Sequence, residues 1–143
     1  MYVCGPTVYK PSHVGHMVGP VIFDTLKRYL VYSGFEVTWV VNITDVDDRI
    51  IQNAAAAGVG IREYTEKYIQ AFLEDREAMS LETPEQIARA TDHIEDMVRL
   101  IERLSAKSLT YTGDGSIYYR IAKFPAYGKL SKIDLSGIHA GAR

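Results

Sequence analysis

The chain has one cysteine, Cys4, in 143 residues, so it forms no internal disulfide and suits a reducing compartment. No apolar run approaches the roughly 20 residues that cross a bilayer. The N-terminus lacks a basic stretch followed by an apolar one, so neither a membrane span nor a signal peptide is expected. Charge of one sign is also missing. Sixteen Lys and Arg face 18 Asp and Glu, a formal net charge of -2, which excludes the global basic field of many nucleic-acid binders. Internal repeats and low-complexity segments are absent. What remains is an ordinary balance of 47% hydrophobic and 24% charged residues, that of a cytoplasmic globular protein able to bury a real core.

Along the chain, Tyr2-Val3-Cys4 is short, apolar and strand-like, and Gly5-Pro6-Thr7 turns it. A helix is expected from about His16 to Ser33, with Val18, Ile22, Leu26, Tyr29 and Leu30 on one face and Lys27 and Arg28 off it. Pro20 is placed near its first turn, and Gly34 ends it. Glu36 to Ile43 is rich in β-branched and aromatic residues. Its run Trp39-Val40-Val41 suits a strand of a parallel sheet buried on both faces. Strand, helix, strand in that order is a right-handed βαβ unit.

Thr44 and Asp47 have capping-box spacing and open a second helix that runs to Gly58. A third helix spans Ile61 to Met79, with Tyr64, Tyr68 and Phe72 on one face. Thr83-Pro84-Glu85-Gln86 carries the signals of a helix start, so a fourth helix is expected from there, with an apolar stripe of Ile87, Ala90, Ile94, Val98, Ile101 and Leu104. Thr110 to Arg120, interrupted by Gly113-Asp114-Gly115, reads as a β-hairpin. Pro125 to Leu135 is loop-like, and Ile138 to Arg143 ends without a cap.

The segment with the most chemistry is His13-Val14-Gly15-His16, nine residues after Cys4 at the mouth of the strand–loop–helix unit. A helix N-terminus gathers free N–H groups and positive dipole, which favours phosphate. Two histidines add side-chain donors, and Gly15 lets a ligand approach the backbone. Asp45, Asp47 and Asp48 form a carboxylate cluster that could take Mg²⁺, although acidic residues in a first helical turn also serve as caps and dipole partners. Capping and packing is the reading adopted.

Taken together, Tyr2-Val3-Cys4-Gly5-Pro6-Thr7-Val8-Tyr9, His13-Val14-Gly15-His16 and Asn42-Ile43-Thr44-Asp45-Val46-Asp47-Asp48 resemble the start of the cysteinyl-tRNA synthetases, class I aminoacyl-tRNA synthetases. The likeness continues to Tyr127-Gly128-Lys129-Leu130-Ser131 and Ala140-Gly141-Ala142-Arg143. It implies an α/β, partial Rossmann-like fold with parallel strands, several helices and a C-terminal hairpin belonging to an inserted domain. Residues 1–108 would be the N-terminal half of the catalytic domain and 109–143 the start of the connective insertion. The activity implied is ATP-dependent activation of cysteine and its transfer to tRNA(Cys). His13 and His16 would be catalytic, binding ATP and stabilising charge on its α-phosphate. Gly5, Thr7, Gly15 and Thr44 would line the ATP and cysteine site, at the sheet edge where open parallel sheets bind ligands. Cys4 resembles the first ligand of a zinc site, where a thiolate-binding metal would separate cysteine from serine. Mg²⁺ would accompany ATP.

The chain departs from the family in several places. Val14 replaces the isoleucine of the His-Ile-Gly-His motif. No second cysteine is present, and His93 and His139 fall at the wrong places for the remaining zinc ligands. The Lys-Met-Ser-Lys-Ser loop is absent, and Lys129-Leu130-Ser131-Lys132 is a likeness of composition only. These 143 residues alone are therefore expected to be inactive, and an uncovered sheet edge makes self-association plausible. Two rivals stand beside this reading: the cysteine ligase of mycothiol synthesis, and a non-catalytic nucleotide-binding or interaction module.

Overall fold

A computed structural model describes residues 1–132; the expected loop end at Leu135 and the segment Ile138 to Arg143 lie outside the described residues. The chain forms two compact units, Met1–Ile94 and one that begins at Glu95.

The first unit is a three-stranded parallel sheet in the order β1-β2-β3, built from β1 (Tyr2–Val3), β2 (Val40–Ile43) and β3 (Gln86–Arg89). Tyr2 pairs with Val40, and Val40 with Gln86. The crossover from β1 to β2 holds α1 (Val14–Tyr32); that from β2 to β3 holds α2 (Asp48–Ala57) and α3 (Ile61–Ala78). The mixed α/β class and the parallel pairing agree with the sequence.

Several elements differ from the expectation. β2 is four residues long and alternates half-buried and buried positions, with Val41 and Ile43 inward. One face of the strand is therefore packed and the other only partly covered, rather than both being buried. The fourth helix does not start at Thr83. Gln86–Arg89 is β3, and α4 runs from Ile94 to Ala106. The local cap signals at Thr83-Pro84-Glu85 were overridden by four residues of pairing with β2 and by the use of Glu85 elsewhere. The second helix is capped by Asp47, whose carboxylate accepts from Ile50 N–H at 2.8 Å, so Thr44 lies before it and is no cap.

In α1 the apolar face is turned outward. Val18, Ile22, Leu26 and Tyr29 are exposed, whereas Met17, Asp24 and Lys27 are buried. Pro20 is the seventh residue of this helix rather than part of its first turn; lacking an N–H, it gives the His16 carbonyl no helical donor.

The inward charges form a seam between α1 and the approach to β3. Lys27 Nζ donates to Glu85 and lies 3.1 Å from a Glu82 carboxylate oxygen. The second Glu85 oxygen accepts the Trp39 N–H at 2.7 Å. Asp24 accepts from Arg28 Nε at 2.7 Å and from Glu82 N–H at 2.8 Å. Burial pushes the Lys27 amine down, but its two carboxylates outweigh that and raise it. Burial pushes the Asp24 carboxyl up, yet the Arg28 and Glu82 hydrogen bonds hold it below its usual value. The apolar core sits beside this seam. Val8, Ile43, Ile50 and Ile69 make one cluster, and Val3, Trp39 and Val41 another.

No residue of α4 is buried, and Ile94, Val98 and Ile101 of its apolar stripe are exposed. β4 (Thr110–Gly113) and β5 (Ser116–Tyr119) form the expected antiparallel hairpin. Asp114 and Gly115 both have positive φ, 49° and 76°, the two-residue turn that matches strand twist.

Lys27, followed by the Trp39 N–H, holds the Glu85 carboxyl down at about 2, against an ordinary 4.5. A carboxyl depressed on folding adds stability above its unfolded pKa, and that stability is lost as pH falls through the folded value. The urea midpoint is expected to drop as pH is lowered from 4.5 towards 2. The drop should be shallower in Glu85→Gln, which should also have a lower midpoint at pH 7. Parallel pH profiles for the two proteins would refute this role.

Candidate functional site

The C-terminal edge of β1 and β2 gathers most of the residues singled out from the sequence. Gly5 lies so close to β2 that a Cβ there would stand 1.8 Å from the Asn42 carbonyl oxygen. No side chain fits such a gap. The Gly5 N–H donates to Asn42 Oδ1 at 3.1 Å. Beyond it the chain re-pairs: Thr7 and Thr44 form a parallel bridge, Thr44 N–H donating to Pro6 O at 3.0 Å and Val8 N–H to Thr44 O at 3.1 Å. Thr7 and Thr44, distant in sequence, therefore stand side by side and half-buried.

His13 and His16 are tied to each other through the start of α1. His13 is the N-cap, its Nδ1 accepting the Gly15 N–H at 3.1 Å. His16 Nδ1 accepts the His13 N–H, also at 3.1 Å. This is a capping box in which two imidazoles take the places usually held by serine and glutamate. The rings lie 3.9 Å apart, centroid to centroid. The consequence is chemical: with Nδ1 occupied as an acceptor, each uncharged ring carries its hydrogen on Nε2. Both histidines thus offer a fixed Nε2–H donor. The first turn of α1 contains no acidic residue, so the positive helix end is not neutralised there. Gly15 has a second reason to be glycine, since a Cβ would meet the His13 ring at 2.9 Å.

Asn42, part of the third motif, was given no role of its own by the sequence. Its Oδ1 holds Gly5, and its Nδ2 lies 3.4 Å from Thr44 Oγ1, so one amide orients both predicted positions. A polar residue within the apolar run from Trp39 to Ile43 was the available signal. Asp45 is buried and accepts from both the N–H and the hydroxyl of Thr91, at 2.9 and 2.6 Å. With Asp47 capping α2, this agrees with the capping and packing reading. Among the described residues, no group of three His, Cys, Asp or Glu side chains could hold a metal. Cys4 is exposed. A single thiol is one donor where zinc takes four ligands, so these residues do not by themselves fit a zinc centre.

The family described as "tRNA synthetases class I (C) catalytic domain" matches residues 1–143. The chain belongs to this family. A cysteine–tRNA ligase of Koribacter versatilis is 54% identical over all of this chain and 29% of its own length. One from Pyrococcus furiosus is 43% identical over all of this chain and 30% of its length. The chain thus spans under a third of these relatives. Among solved structures, Mycobacterium tuberculosis methionyl-tRNA synthetase bound by methionyl-adenylate superposes with a TM-score of 0.63 and 23% identity. It covers 83% of this chain and 28% of the other. That likeness supports the fold of the class I synthetases. Among the described residues, no helix is long and apolar enough to cross a membrane.

Three substitutions separate the elements of the site. Gly5→Ala should force β1 away from β2 and lower stability by about 3 kcal/mol, read as a shift in the urea midpoint. His13→Ala should lose about 1 kcal/mol with the cap, while His13→Asn, whose Oδ1 can still accept the Gly15 N–H, should lose little. Equal losses from the two His13 variants would contradict the cap geometry.

Proposed function

We propose that this chain supplies the nucleotide-binding half of a cysteine–tRNA ligase. The observation that carries the proposal is the interlocked pair His13 and His16, two fixed Nε2–H donors at an acid-free helix start. Such donors suit an ATP phosphate group, because they stabilise charge as it develops without reorganising. The reaction is the two-step one of the related ligases. The cysteine carboxylate attacks the α-phosphate of ATP, giving cysteinyl adenylate and pyrophosphate, and a terminal ribose hydroxyl of tRNA(Cys) then takes the cysteinyl group. Catalysis rests mainly on positioning and charge stabilisation.

In this reading, His13 and His16 are the catalytic donors. Gly5, Thr7, Gly15 and Thr44 line the ATP and amino-acid site, with Asn42 as a positioning residue that sets Gly5 and Thr44. Mg²⁺ arrives with ATP. Cys4 is one candidate zinc ligand, and no step is assigned to the metal. Residues 1–108 form the N-terminal half of the catalytic domain, and 109–143 begin a connective insertion. The cytoplasm is the expected compartment, where ATP and tRNA are available.

The full-length protein is expected to catalyse cysteine-dependent exchange between ATP and pyrophosphate. His16→Asn, which keeps the capping acceptor but removes the Nε2–H donor, should lower that exchange about 100-fold with little change in stability. Unchanged exchange in the variant would sink the assignment of the donor. The 143 residues alone should show no exchange, and rates equal to the full-length protein would refute the half-site view. Exposed Val14, Val18, Ile22 and Tyr29 on α1 also lead us to expect self-association of the isolated chain. A clean monomer by light scattering at high concentration would argue against it.

A further inference from the structure

Past Ile43 the backbone of β2 changes partner. Ile43 is the last residue paired with β3, opposite Arg89, and the next residue, Thr44, pairs with Thr7 on the β1 side. Backbone pairing to β3 ends there, yet a side chain continues its register. Asp45, two residues beyond Ile43, accepts the Thr91 N–H at 2.9 Å with Oδ1 and the Thr91 hydroxyl at 2.6 Å with Oδ2. Thr91 is two residues beyond Arg89, in the short 3₁₀ turn Ala90–His93. A carboxylate gripping one residue with both oxygens thus stands where a further rung of the parallel ladder would be.

This is an expensive place for a carboxylate. Burial alternates along the strand and past its end: Val41, Ile43 and Asp45 are buried, while Asn42 and Thr44 are half-buried on the other face. Asp45 is 1% exposed. Among the described residues it makes no ion pair, and Arg89, which feels its charge, is bound to Glu66 by two hydrogen bonds at 2.7 and 3.1 Å. A carboxylate on the core side is unfavourable unless its lone pairs are taken, and the observed register brings it to Thr91. A slip by one residue would strand the charge and turn Thr44 inward. Nor is Asp45 needed as a cap, since Asp47 caps α2.

We propose that Asp45 and Thr91 are positioning residues for the amino-acid substrate, clamping the end of β2 so that Thr44 stays beside Thr7 on the binding side. They act through Thr44, whose N–H and carbonyl are held from the opposite side by Pro6 and Val8. This role rests on the reading of Thr44 as part of the amino-acid site.

The test is cysteine-dependent exchange between ATP and pyrophosphate by the full-length protein. Thr91→Val removes the hydroxyl that donates to Asp45 but keeps the side-chain shape and the N–H. It should raise the KM for cysteine about tenfold and leave kcat and the KM for ATP within about twofold. Thr91→Ser, which keeps the hydroxyl, should restore the KM. Thr44→Val should raise the same KM, and adding Thr91→Val to it should change little, because both act through one contact. Should Thr91→Val not fold, Asp45→Asn decides: its neutral amide makes weaker bonds than the carboxylate and should raise the KM for cysteine about threefold. A folded Thr91→Val or Asp45→Asn with a lowered urea midpoint but an unchanged KM for cysteine would overturn the role. If Thr44→Val still raised that KM, the ligase reading would stand without it. Equal KM values in Thr91→Val and Thr91→Ser would also overturn it, as would additive effects in the double variant. No exchange by the unaltered full-length protein would overturn the ligase reading and this role together.

Discussion

The close approach of Gly5 to the Asn42 carbonyl is the constraint on which the site depends. It lets β1 run hard against β2 and then turn through Pro6, so that the chain re-pairs at Thr7 and Thr44, one residue out of the β1–β2 register. A larger residue at position 5 would separate the strands, and the edge that carries both threonines would open. The Asn42 amide reinforces the same point from the side-chain direction, accepting from Gly5 and reaching Thr44. A steric requirement at one residue thereby becomes the spatial arrangement of three positions from two strands.

The seam beneath the sheet follows a different logic. Lys27 and Asp24 occupy inward positions of α1 that would ordinarily be apolar. Burying such charges is unfavourable unless each is paired and hydrogen-bonded, and here each is. The partners come from α1 and from the segment just before β3, so the network also positions that strand. Glu85 binds Lys27 with one oxygen and the backbone N–H of Trp39 with the other, joining the helix to the residue that leads into β2. The seam thus provides an orientation constraint that a purely apolar interface would leave looser. It also accounts for the exposed face of α1: with the charged face turned inward, Val18, Ile22 and Tyr29 must face away.

That inversion marks the limit of what the sequence disclosed. Periodicity located α1, α2 and α3 and the hairpin, because each has strong local signals: a glycine stop, an aspartate cap, an Asp-Gly turn. It could not assign the inward face of α1, since the rule that apolar residues face the core fails where charges are mutually satisfied. Nor could it find β3. Gln86-Ile87-Ala88-Arg89 has no strand pattern of its own, and its pairing with β2 is a non-local contact across more than 40 residues. The site was more legible. The resemblance to the cysteinyl-tRNA synthetases implied that Gly5, Thr7 and Thr44 share one edge with the histidines at a helix start, whereas the ring nitrogens used as caps are a matter of geometry that residue identity does not reveal.

The histidine geometry also bears on why this motif has two histidines rather than the serine and glutamate of an ordinary capping box. A glutamate in the first turn would satisfy the same N–H but place a negative charge where the proposed ATP phosphate would approach. A serine would cap equally well but would spend its short side chain on the cap. An imidazole does both jobs with different atoms. Its Nδ1 accepts from the backbone while its Nε2–H remains as a donor on the other side of the ring. Since each histidine is held by a backbone N–H of the same turn, the two donors are fixed by the helix start itself and need no outside support. Folding α1 and presenting the donors are thus a single event, and a chain that forms this helix already holds them in place.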